Sequence, residues 1–114
     1  MAYASFYMEP HLADERAIVD RLIRRALELG YTVGVHDGEE LALSRSSDYE
    51  AITSRVAMTD ETHLIFRFGG VLDQKLVGKV FLVHGNGEDV ISDHSDNELT
   101  GDLVAHATGE DLRP

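Results

Sequence analysis

The chain has 114 residues, no cysteine, 43% hydrophobic residues and a formal net charge of −11 at pH 7. That length suits one domain around one core, and the missing cysteine excludes disulfides, thiolate nucleophiles and cysteine-ligated zinc or iron–sulfur centres. The charge speaks against nucleic acid or an anionic membrane as a direct partner, because phosphates would be repelled over most of the surface.

The stretch Met1 to Met8 is mildly apolar but carries no basic region and ends at Glu9-Pro10, so it does not read as a signal peptide. No apolar run reaches the roughly 20 residues of a membrane span, and the expectation is a soluble, cytoplasmic protein. Residues 11–29 follow as a helix. Ile18, Val19, Leu22, Ile23, Ala26, Leu27 and Leu29 form its apolar stripe, opposite Asp20, Arg21, Arg24, Arg25 and Glu28. Pro10 suits the start and Gly30 the stop.

Tyr31 to Val35 reads as a strand, Asp37-Gly38 as a tight turn and Leu41 to Ser44 as the returning strand. Ser47-Asp-Tyr-Glu50 is a capping-box pattern that opens a second helix running to about Met58. After a polar loop over Thr59–Thr62, His63 to Phe68 forms a strand, and residues 71–76 fit either a loop or a ragged strand extension. Lys79 to Val83 is the most strongly β-like run, and Gly85-Asn-Gly87 turns it into Val90–Ser92. Ser95-Asp-Asn-Glu98 caps a last helix to about Ala107. Residues 1–108 therefore form one α+β domain, with 109–114 as a mobile tail. The order α-ββ-α-β-ββ-α favours an antiparallel sheet of about five strands with helices mainly on one face.

A shift of 48 residues aligns one ββα segment with the other. Over residues 35–57 there are nine identities, among them Val35-His36 with Val83-His84, Ser47-Asp48 with Ser95-Asp96, and Glu50 with Glu98. This pattern fits an internal duplication giving a pseudo-symmetric domain. Two unrelated hairpin–helix units that converged on the same cap and turn chemistry would also produce it.

Chemistry-bearing residues are sparse in pattern. His36, His84 and His94 lie beside carboxylates and are candidates for a metal or small-ligand site. No HExxH, HxH or calcium-loop spacing supports them, so no metal site, cofactor or catalytic residue is assigned. No serine lies in a Gly-x-Ser-x-Gly elbow. Arg16, Arg21, Arg24 and Arg25 read as a solvated helix face. The charge is lopsided: residues 85–114 hold eight acids and one base, which is −7 of the total −11. Glu88, Asp89, Asp93, Asp96, Glu98 and Asp102 are therefore the candidate partner-binding set. Glu98 and Asp102, one helical turn apart at about 6 Å, could imitate the spacing of phosphates along a nucleic-acid strand. General acidity for solubility is the plainer account.

The stretch Gly78-Lys-Val-Phe-Leu-Val-His-Gly-Asn-Gly-Glu-Asp-Val-Ile-Ser-Asp-His-Ser-Asp-Asn97, with Tyr31-Thr-Val-Gly-Val-His-Asp-Gly-Glu-Glu40, resembles small acidic proteins of unknown function encoded by phages and plasmids. The resemblance implies no site residue. It does imply a role in contact with a host, since small acidic mobile-element proteins often inhibit host nucleic-acid machinery. The leading expectation is a non-enzymatic binding module whose acidic surface engages a basic host protein, as an anti-defence inhibitor or nucleic-acid mimic. The alternatives are a small His/carboxylate metal- or ligand-binding enzyme and a homodimeric structural protein.

Overall fold

In the computed structural model the described residues are 10–37, 41–57, 61–69 and 75–109. Helix α1 spans Pro10–Glu28. Ile18, Val19, Leu22, Ile23 and Ala26 fall on one side of it, as the 3.6-residue period demands, and all five are buried. The helix stops at Gly30, whose φ of 84° is a left-handed conformation open to glycine at little cost. There the Tyr31 amide donates to the Ala26 carbonyl at 2.9 Å and the Gly30 amide to the Leu27 carbonyl at 3.0 Å. This pair of bonds satisfies carbonyls that the helix end would otherwise strand.

Strands β1 (Thr32–His36), β2 (Leu41–Ser46), β3 (Glu61–Phe68), β4 (Lys75–Val83) and β5 (Ile91–His94) form one sheet in the order β2-β1-β3-β4-β5. Every neighbouring pair is antiparallel. Helices α2 (Tyr49–Val56) and α3 (Glu98–Thr108) join α1 on one face. Val33, Val35, Leu64, Phe66, Val80 and Leu82 point to that face and meet Ile52 and Val56 of α2 and Leu103 and Ala107 of α3. Each such side chain contributes about 1.5–3 kcal/mol on full burial, so this layer is where the fold is held. The α+β class, the helix count and the element order are those the sequence predicts.

Local boundaries differ in instructive ways. β3 begins at Glu61, so Thr62 is a fully buried strand residue and not part of a polar loop. α2 is capped by Asp48, whose side chain accepts from the amides of Glu50 and Ala51, and α3 by Asn97, which accepts from Thr100 N. Ser47 and Ser95 are not the caps. Ser95 Oγ instead accepts from the Lys79 amide at 2.9 Å, tying the start of α3 to β4. β4 begins at Lys75, inside the stretch the sequence left ambiguous. The Asp37-Gly38 turn falls partly, and the tail beyond Gly109 wholly, outside the described residues.

The 48-residue repeat survives as an order of elements, not as a symmetry. β1 and β4 are each antiparallel to β3 and so run the same way, yet β2 lies on one side of β1 and β5 on the opposite side of β4. With α2 and α3 on the same face, the two ββα units are mirror-related, and no rotation superposes them. The side chains agree. Val35 faces the core, whereas its aligned residue Val83 alternates to the outer face beside buried Leu82. That arrangement does not suit a pseudo-symmetric domain.

Candidate functional site

Two places in the fold gather polar and apolar groups in a way that packing alone does not explain. The first begins from the end of α1. Gly30 releases the chain into β1 with Leu29 39% exposed, and α3 starts nearby with Leu99 52% exposed. Between them lies a groove of about 320 Å³ lined by Arg25, Leu29, Tyr31, Leu99, Asp102, Leu103, Ala105 and His106. Phe68, at the end of β3 and 53% exposed, extends the apolar surface by meeting the Tyr31 ring edge-on at 5.8 Å. Leucines and a phenylalanine left this open mark a contact surface more often than a solvated one when they adjoin.

The rim is acidic. Asp102 is exposed on α3, Glu98 is exposed one turn before it, and Asp96 is exposed just ahead of the helix. Arg25 pairs with Glu28 at 3.6 Å, which offsets its charge at the other wall. The other acids of the sequence-defined set lie elsewhere. Asp93 pairs in register with Phe81 and projects from the sheet face opposite the helices. Asp89 is exposed in a short 3-10 turn, Gly87–Asp89, that packs against α1. Glu88 belongs to that turn, and its side chain lies outside the described residues. The structure thus sets Asp102 on the groove with Glu98 one turn before it, and places Asp89 and Asp93 elsewhere.

No protein-family model, curated protein or solved structure matches the chain.

The second place is buried. Glu15, on the first half of α1, has no exposed surface; its Oε1 accepts from the amides of Gly85 at 2.7 Å and Asn86 at 3.1 Å. Its Oε2 stands 3.7 Å from His84 Nδ1, and His84 Nε2 lies 2.9 Å from Thr62 Oγ1. An acid, an imidazole and a hydroxyl in line could activate the hydroxyl as a nucleophile. Here the hydroxyl belongs to Thr62, which is fully buried, so no substrate carbonyl can reach it. The chain of contacts works instead as a latch that fastens α1 to the β4–β5 turn, two amides being held by a carboxylate that would be costly to bury alone.

The candidate histidines do not share a cleft. His84 faces the helices beside Glu15, His36 faces away from them beside His63, and His94 is exposed at the end of β5. Among the described residues no group of three or more His, Asp or Glu side chains is placed to hold a metal. Among them, too, no helix is long and apolar enough to cross a membrane.

Sequence reasoning missed Glu15, Thr62 and the groove. Glu15 did leave a signal, since it lies three, four and seven positions before Ile18, Val19 and Leu22 and so falls on the buried stripe. Leu99 left none, because an isolated leucine after a cap reads as an ordinary core residue.

Proposed function

We propose that the protein is a non-enzymatic binding module acting in the cytoplasm of a host cell, where it seats an apolar segment flanked by basic residues of a host protein. The observation that carries this reading is the α1–α3 groove. Leu29 and Leu99 stand open on it, and Asp102 stands on the rim with Glu98 one turn away. Covering the leucines supplies the hydrophobic gain, while the acids select a basic flank and speed encounter. The resemblance to phage and plasmid proteins supports a host protein as the partner. Nucleic-acid mimicry is the narrower form of the same reading. It is favoured by the Glu98–Asp102 spacing and is confined to α3, since Asp89 and Asp93 lie apart.

The test is capture from a host lysate on immobilised protein at low and high salt. The wild-type protein should retain a basic partner that salt weakens. Leu99→Asp should lower its affinity by about 30-fold, the effect of losing a contact worth about 2 kcal/mol. Exchanging Glu98 and Asp102 for lysine should abolish the salt-sensitive component. A partner retained equally by all three proteins at both salts would overturn the proposal.

A further inference from the structure

The helices cover one face of the sheet, and the other face carries a pattern of its own. β3 presents Glu61, His63, Ile65 and Arg67 outward in that order, because the alternate Thr62, Leu64 and Phe66 are buried. β4 presents Val83 beside Glu61, Phe81 beside His63, Lys79 beside Ile65 and Leu76 beside Arg67. β1 places His36 beside His63 and Gly34 beside Ile65. His63 stacks on Phe81 with centroids 4.5 Å apart and 17° between the rings. A shallow depression of about 220 Å³ opens among His36, His63, Ile65 and Lys79.

We infer that this face is the interface of a symmetric homodimer, with two sheets packed face to face about a two-fold axis that lies between them and runs across the strands. That axis lays β3 over β3 of the second copy in reverse. Glu61 then meets Arg67, and His63 meets Ile65. Along β4, Val83 meets Leu76, and the Phe81 ring receives the Lys79 ammonium as a cation–π contact. On β1, His36 faces Gly34, over which the Ile65 and Arg67 side chains of the same copy lie. An axis along the strands would instead set Glu61 on Glu61 and Arg67 on Arg67, so the order of residues selects one symmetry.

Charge argues the same way. The chain carries −11 in all, yet on β3, β4 and β5 the described residues of this face pair two acids, Glu61 and Asp93, with two bases, Arg67 and Lys79. Two copies can therefore meet here without the repulsion they would feel elsewhere. Five strands about 4.8 Å apart, with an eight-residue central strand about 26 Å long, give a face of about 500 Å². Two such faces bury about 1,000 Å², the lower bound for a specific association.

Sedimentation tests the inference. At about 100 µM chain, the wild-type protein should show twice its 12.6 kDa mass. Glu61→Arg and Arg67→Glu should each raise the dimer dissociation constant by about tenfold or more, and the two together should restore it, because the charges have merely exchanged ends. Circular dichroism checks that each variant is folded. If Arg67→Glu fails that check, the exposed Lys79→Glu takes its place and should weaken the dimer likewise. Leu99→Asp, in the groove, should leave the mass unchanged. A monomer at every concentration, a dimer insensitive to the single exchanges, no recovery in the double variant, or a dimer broken by Leu99→Asp would each overturn the proposal.

Discussion

Gly78 shows how one residue sets the distance between two layers. A Cβ at that position would land 1.9 Å from Thr100 Oγ1 and 3.2 Å from the Ser95 Cβ. Thr100 cannot easily retreat, since its amide donates to Asn97 and its hydroxyl to the Val77 carbonyl at 3.3 Å. Asn97 also donates from Nδ2 to the same carbonyl at 3.0 Å. Gly78→Ala should therefore destabilise the fold by about 1–3 kcal/mol, the cost of forcing a methyl into filled space. Chemical denaturation would show this as a lower midpoint with an unchanged slope. In the sequence Gly78 stands just ahead of the β-like run Lys79 to Val83, and the close approach of α3 that requires it is a long-range fact.

Between elements, short polar contacts decide how the helices lie. Tyr49 at the start of α2 donates its hydroxyl to Asp20 of α1, and Arg24 lies over the Tyr49 ring at 4.2 Å while bonding Asp20 at 3.0 Å. Partial burial, and then the bond to Asp20, raise the Tyr49 phenol above its ordinary value of 10.0. The folded state thus holds that proton more tightly than the unfolded chain does. Its contribution to stability is complete below about pH 10 and is lost as pH rises through the higher folded value. The thermal midpoint of the wild-type protein should fall as pH rises above about 10, and this alkaline component should be missing in Tyr49→Phe. At the helix starts, Asn97→Ala should cost about 1–2 kcal/mol, since that side chain both caps α3 and bonds the Val77 carbonyl. Ser47→Ala, at a residue outside the Asp48 cap, should change stability by less than about 0.5 kcal/mol in the same denaturation experiment.

At the scale of the whole molecule, the sequence carried most of the architecture and little of the site. The stripe on α1 and the alternating strands announce their elements because each buries one face, and periodicity records burial. Cap positions slipped by one or two residues, since Ser47-Asp48 and Ser95-Asp-Asn97 offer several side chains able to accept from a helix amide. The matched histidines His36 and His84 looked equivalent in sequence, yet His36 ends β1 on the outer face while His84, in the turn after β4, faces the helices. The acids were countable but not placeable, so one tract of negative charge resolves into the Glu98–Asp102 pair on α3 and separate charges at the turn and the outer sheet. Leu29, Leu99 and Phe68 could not be read as a surface, because what exposes them is the meeting of three elements far apart in the chain.

The Glu15 latch bears on the order in which the chain can assemble. α1 is made early, but the amides its carboxylate holds belong to residues 70 and 71 positions later. At 5–20 residues per second, about 4–14 s of synthesis separate the two. Throughout that interval Glu15 has water as its better partner, since burying its carboxylate without those amides would be costly. Full burial of the Glu15 end of α1 therefore waits on the second hairpin.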